Sequence, residues 1–337
     1  MAARPPKRTK RAVARRGSWA GWATLNLEPH WLSWAVLGCL CAAGLGRLGG
    51  MFWLGTVMEE LGFQLCLVAL GLGVYAALRR AWLALAVCVL LVISWGLPAL
   101  SLARSTRPTP SSGPTLRVLG AHLGAATLTP AELLTELVSH KVNLAVLSAN
   151  DGAALTSLRA EDTLRNYRVI HGPVPGSTWA LFVRRELLEP AGPRRAKAPR
   201  SVAQLKINRC ELSVQPLSVP SVFTYGVRDA RSQRLRGLQK RTSDARSIWL
   251  GQLGSAPSTA DVQAVTRAQD LRDGRVGYGR MPSTPASLGP LGLPHEHLLL
   301  RGWLRVTAMS MDEPLAPQAQ RTLRATLELT EPACQAP

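Results

Sequence analysis

Three long apolar runs dominate the first hundred positions, about Trp31–Leu48, Leu61–Leu78 and Ala81–Leu102. Each is close to the ~20 residues a helix needs to cross a hydrocarbon core. Arg79 and Arg80 are the whole connection between the second and third runs. Before the first run lies a tail carrying Arg4, Lys7, Arg8, Lys10, Arg11, Arg15 and Arg16 against Glu28 alone. Basic flanks stay on the cytoplasmic side, so three spans put the tail and the Arg79–Arg80 turn inside. Everything after Arg104 is then expected outside the cytoplasm, in a periplasm if the membrane is a bacterial inner membrane. Trp31, Trp34, Trp53 and Trp95 sit near segment ends, where indole rings favour the interface. Glu59 and Glu60 fall at the outer mouth of the second run, where a solvated edge is the expectation.

From Arg104 to Pro114 the chain reads RSTRPTPSSGP, the composition of an extended tether. Beyond it the period of the apolar positions changes. Leu116–His122, Asn143–Ser148, Tyr167–His171 and Thr178–Val183 read as strands. So do Leu205–Ile207, Glu211–Leu217, Val222–Tyr225, Ser247–Gly251, His297–Arg301, Trp303–Ala308 and Leu323–Leu329. Thr129-Pro-Ala-Glu132 is a capping box with proline at the first helical position, and Leu133, Leu134, Leu137 and Val138 follow on one face. Helices are also expected over 155–166, over 228–244 and after Ser258-Thr-Ala-Asp261. Strands arrive both in α/β alternation and in meander pairs. That mixture predicts an α+β domain: two packed mixed sheets flanked by helices, a four-layer α/β sandwich behind three transmembrane helices. The expected boundaries are 1–30 for the tail, 31–103 for the anchor, 104–114 for the tether and 115–330 for the sandwich.

Charge and cysteine use add to this outline. The 337 residues carry a net charge of +19. The tail and the apolar runs account for about +7 of it, leaving about +12 on the remainder. Much of that lies on the helix carrying Arg231, Arg234, Lys240 and Arg241, candidate contacts for anionic lipid or another polyanion. A solvated helix face is the blander reading. Of six cysteines, four fall in the apolar runs. Cys210 and Cys334 remain, with unpaired thiols expected and a bridge outside the cytoplasm as the alternative. No C-x-x-C, P-loop, G-x-S-x-G or H-E-x-x-H motif is present.

The order of motifs carries a resemblance. Three spans, a proline-rich tether, then Arg117-Val-Leu, Asn143-Leu-Ala-Val-Leu, Trp249-Leu-Gly-Gln-Leu253 and Leu291-Gly-Leu-Pro-His-Glu-His297 before a terminal strand resemble the membrane-anchored branch of the endonuclease/exonuclease/phosphatase superfamily. The resemblance implies a metal-dependent phosphoesterase fold, with Mg²⁺ or Mn²⁺ if the chain is an enzyme. It also implies where the catalytic groups stand, and most are changed. His122 occupies the place of an asparagine, and Ala149 that of the metal-binding glutamate. Leu217 replaces a histidine, and Gln252 and Gly254 replace the aspartate and asparagine of G-D-x-N. Ser310-Met-Asp-Glu-Pro314 stands for the terminal S-D-H-x-P, leaving Asp312 where the general-base histidine belongs. Glu296 and His297 survive from I-D-H. Glu296, His297 and Asp312 are thus the candidate catalytic remnants, with Glu296 and Asp312 expected to face each other.

No cofactor is expected on this pattern; a metal, if held, would fall to His122, Asp151 and Glu296. His295 and His297 share one strand face and could also grip a transition metal, with ordinary hydrogen bonds as the alternative. The favoured expectation is a catalytically degenerate binding or scaffold module whose protein partner the sequence does not name. The alternatives are a divergent hydrolase rebuilt from His122, Asp151, Glu296, His297 and Asp312, and a platform acting through its basic helix.

Overall fold

The structure, a computed structural model, describes residues 30–48, 53–104, 113–150, 152–156, 158, 164–171, 179–188, 203–207, 210–241 and 245–330. The basic tail, most of the tether, Asp151 and Cys334 lie outside the described residues.

The apolar segments form four helices rather than three: α1 (His30–Arg47), α2 (Trp53–Glu60), α3 (Gly62–Leu78) and α4 (Trp82–Arg104). Among the described residues no single helix is long and apolar enough to cross a membrane; α2 and α3 pass together by length and composition, but are bent by 66°. The expectation of three single-helix spans is therefore not met. The bend has a packing cause. The Trp95 ring of α4 lies where a side chain at residue 62 would go, 2.0 Å from an ideal Cβ, so only glycine fits there. The same ring lies 2.6 Å from an ideal Cβ on Gly46 of α1. Arg79 and Arg80 make the tight α3–α4 turn as expected, with Arg80 in the left-handed region at φ 55°.

The sandwich begins at β1 (Thr115–His122) and ends at β11 (Arg321–Leu329). Between them run α5 (Pro130–Ser139), β2 (Leu144–Ser148), α6 (Ala153–Thr156), β3 (Tyr167–His171), β4 (Trp179–Arg184), β5 (Ala203–Ile207) and β6 (Cys210–Ser218). Then follow α7 (Arg228–Gln239), β7 (Ser247–Gln252), α8 (Ala260–Ala268), β8 (Arg272–Asp273), β9 (Glu296–Arg301) and β10 (Leu304–Pro314). One sheet has the order β10-β11-β1-β2-β4-β3, the other β5-β6-β7-β9-β8. Each contains one parallel pair, β1 with β2 and β6 with β7, so both sheets are mixed.

Alternation along the strands builds the layers. Val118, Val146, Leu181, Val214, Ile248, Leu250, Leu298 and Leu323 fill the space between the sheets. The opposite faces of β1, β2 and β4 bury Leu119, Leu147 and Phe182 against Leu133 and Leu137 of α5. On the far side Trp249 and Leu299 pack under Leu235 of α7 and Val262 and Val265 of α8. Helix, sheet, sheet, helix is the expected layering. The capping box forms as the sequence implies, with Thr129 Oγ1 accepting from the Glu132 amide and the Glu132 carboxylate accepting from the Thr129 amide.

Several local expectations change. Residues 222–225 form a turn leading into a 3-10 segment (Tyr225–Val227), not a strand. The basic helix ends at Gln239, five residues earlier than expected. The last hairpin is longer: β10 continues through Ser310–Pro314 because those residues pair with Arg321–Arg324 of β11. Cys210 is disulfide-bonded, against the expectation of unpaired thiols, while Cys39, Cys41, Cys66 and Cys88 are free.

Candidate functional site

A cleft of about 1040 Å³ opens at one end of the sandwich, over the ends of β1, β2, β6 and β7. His122, the last residue of β1, stands in its wall with Ala149, Asn150, Gln252 and Gln320. His122 Nδ1 lies 2.9 Å from Ser148 Oγ and Nε2 lies 3.1 Å from Asn150 Oδ1, so both ring nitrogens are engaged. Burial, only partly offset by the Asn150 bond, pulls its pKa down to about 4, and the ring is neutral at pH 7. Gln252 stands at the end of β7 beside a turn that packs on Pro220. An ideal Cβ on Gly254, at φ 62°, would lie 2.4 Å from the Pro220 oxygen. No side chain is tolerated where the resemblance places an asparagine.

Glu296 is cross-strand partner to Gln252 and points between the sheets, opposite His295 and His297. It is fully buried, and neither carboxylate oxygen has a hydrogen-bond partner. It lies across from Gly120, whose ideal Cβ would meet Leu250 Cδ1 at 3.0 Å and Glu296 Oε2 at 3.4 Å. Burial without compensating donors pushes its pKa up to about 8, with Arg275 pulling weakly the other way. At neutral pH the group is mainly the uncharged acid.

Asp312 does not face Glu296. It bonds to Arg324, which also holds Glu136 of α5, and the three line a separate hollow of about 370 Å³. The reason is the length of β10: Asp312 is paired within the sheet opposite Thr322, and it is Glu313, Pro314 and the turn after them that reach the cleft wall. The residues that enter the last strand at the cleft are Gln320 and Arg321. The Gln320 amide donates to the His122 carbonyl, and the Arg321 guanidinium donates to the Met311 carbonyl.

His297 is committed to the fold. The Arg275 guanidinium donates to its Nδ1 at 2.8 Å, which leaves the proton on Nε2, and Nε2 donates to the Ser255 carbonyl at 2.7 Å. Desolvation first, and the adjacent Arg275 charge second, hold its pKa well below the ordinary value. Arg275 has a fully buried side chain. It meets Asp273 through both oxygens and also reaches the Pro294 carbonyl. His295 donates or accepts at Nε2 against Glu60 Oε1, 2.9 Å away. Each histidine of the pair is thus engaged with protein groups.

The basic helix divides into two roles. Arg231 is buried and donates to the Pro220 and Leu253 carbonyls, Ser255 Oγ and Asp261 Oδ2. That clamp removes it from contact with an outside anion. Arg241 bonds to the Gln215 side chain, and Arg234, at the cleft edge, donates to the Ser218 carbonyl at 2.8 Å. Arg228, Arg236 and Lys240 are exposed.

These residues do not fit the divalent cation that the resemblance implies. Such a cation needs several oxygen ligands, carboxylates foremost. Among the described residues no three His, Cys, Asp or Glu side chains gather. The cleft is lined by Gln252, a neutral His122 and the single carboxylate Glu313, with Ala149 in the glutamate's place, while Glu296 stays buried between the sheets as the uncharged acid. Arg275 and Gln320 escaped the sequence reading, and Glu60, expected at a solvated edge, is buried against Ala256 and His295 instead. Only the short Asp273-Gly-Arg275 spacing could have flagged the first, and nothing local flags Gln320 or the partners of Glu60.

No protein-family model matches the chain, and no curated protein does. Solved structures give similarity over the sandwich at low identity. A humanized D. rerio TDP2 carrying 14 mutations matches with a TM-score of 0.48 and 15% identity, over 64% of this chain and 99% of that one. The endonuclease domain of TRAS1, a telomere-specific non-LTR retrotransposon, matches with a TM-score of 0.47 and 14% identity, over 65% and 100%. An AP endonuclease from Archaeoglobus fulgidus matches with a TM-score of 0.45 and 14% identity, over 64% and 100%.

Proposed function

We propose that this protein is a membrane-tethered, extracytoplasmic member of the endonuclease/exonuclease/phosphatase superfamily whose cleft binds a ligand without hydrolysing it. The observation that carries the reading is Glu296. The one acid that the resemblance leaves at a catalytic position is buried between the sheets outside the cleft lining, uncharged and without a hydrogen-bond partner. A carboxyl group in that state cannot orient a base or ligate a hard cation at neutral pH. The motif changes at Ala149, Gln252 and Gly254 point the same way. The apolar helices, the basic tail and the Arg79–Arg80 turn support an inner-membrane anchor with a cytoplasmic N-terminus. The disulfide at Cys210 suits an oxidising compartment. The exposed Arg228, Arg236 and Lys240 favour an anionic partner, such as lipid head groups, on the outer face of α7.

The test is hydrolysis of a generic phosphodiester, bis(p-nitrophenyl) phosphate, by the full chain in detergent with Mg²⁺ or Mn²⁺. No turnover above the metal-only rate is expected. Turnover that Glu296→Ala abolishes would establish the divergent hydrolase instead.

A further inference from the structure

The α2–α3 corner leans on the sandwich through groups that the sequence places at a membrane edge. Glu60 has a fully buried side chain; its Oε2 accepts from the Ala256 amide at 2.6 Å and its Oε1 meets His295 Nε2 at 2.9 Å. Glu59 Oε1 accepts from the Ala260 amide at 2.9 Å, at the N-terminus of α8. The N-cap residue of that helix, Thr259, makes no side-chain cap bond of its own. A carboxylate at a helix N-terminus is favoured both by the orphan amides and by the helix dipole. One turn further along α3, the Gln64 amide donates to the Leu291 carbonyl at 2.7 Å, and the Arg280 guanidinium lies 4.1 Å over the Phe63 ring. Glu60 is thus satisfied through both oxygens and Glu59 is held through Oε1, its Oε2 staying buried without a partner, which a merely solvated edge does not require.

The docked face adjoins the cleft. The His295 ring stacks on Phe223, with centroids 6.4 Å apart, and Phe223 lies between the cleft residues Ser221 and Thr224. The 284–287 segment, also in the cleft wall, shares the loop that ends at Leu291.

We propose that the α2–α3 corner is a docking element. Glu59 and Glu60 clamp the cleft-side edge of the sandwich to the anchor, and Phe223 and His295 connect that clamp to the cleft wall. On the membrane-tethered reading proposed above, the corner therefore lies outside the lipid and fixes the cleft-side edge of the sandwich to the anchor helices. This holds whether or not the cleft hydrolyses anything.

Hydrogen exchange on the full chain in detergent tests it. In Glu59→Ala/Glu60→Ala the Ala256 and Ala260 amides should exchange roughly tenfold faster or more, the effect of losing charge-assisted bonds, while the β7 amides stay protected. Phe223→Ala should speed exchange at Ala256 by a smaller factor. Equal rates at Ala256 and Ala260 in wild type and double variant, with β7 protected in both, would overturn the proposal. If the double variant loses β7 protection as well, the wild type decides. A protease site placed within residues 105–112 and cut should leave the anchor and the sandwich copurifying in detergent. Separation of the wild-type pieces on cutting would also overturn the proposal.

Discussion

Arg275→Met is expected to destabilise the sandwich by about 3–5 kcal/mol, the cost of removing one partner from a buried ion pair. The guanidinium is fully buried and serves three neighbours at once. It satisfies both oxygens of Asp273, the Pro294 carbonyl and His297 Nδ1. Methionine fills comparable space but leaves the Asp273 carboxylate, mostly buried, without its counter-charge. The loss should be visible as a lower thermal midpoint and as faster exchange of the β9 amides. Asp273→Asn added to Arg275→Met should recover part of it, because the uncompensated charge is then gone. A single variant as stable as wild type would mean that Arg275 is solvated in solution and that His297 is free to act.

The second large effect is a slope in pH. Glu296 has a folded pKa of about 8 against 4.5 for the free group. Below pH 4.5 the acid is protonated in both states and carries no penalty. As pH rises, the unfolded chain releases the proton first, so stability falls through the window from 4.5 to about 8 and levels off above it. The loss across that window is on the order of 4 kcal/mol. Glu296→Gln keeps the shape and removes the ionisation. Its midpoint should lie near that of wild type at pH 4.5 and above it at pH 8.5, with a flatter profile between. Parallel profiles for the two proteins would show that Glu296 ionises normally, as a working carboxylate would.

Most of the sandwich was legible because its strands are short, apolar and separated by strong turn signals. Leu144–Ser148 and Ser247–Gln252 are buried along their whole length, which a continuous apolar run announces. Val222–Tyr225 misled for the same reason: β-branched and aromatic residues suit a strand, but the Val222 amide donates to the Gly254 carbonyl and the chain turns into a 3-10 segment ahead of α7. The end of β10 was hidden because pairing with Arg321–Arg324 is non-local. A motif comparison along the chain placed Asp312 at the cleft, whereas the strand carries it to Arg324. The bend before Gly62 depends on Trp95, 33 positions away, and no helical period records such a contact. Glu59 and Glu60 looked like a solvated edge because their partners lie about 200 residues later. The opposition of Glu296 to His295 and His297, by contrast, followed from strand alternation alone.

The measurement that bears most directly on the binding-module reading is calorimetric titration of Mn²⁺ into the full chain at pH 7. The expected result is no saturable heat up to millimolar metal and the same trace for Glu296→Gln. A stoichiometric site in wild type that disappears in Glu296→Gln would contradict it, because Glu296 would then be an ionised ligand and not a buried neutral acid.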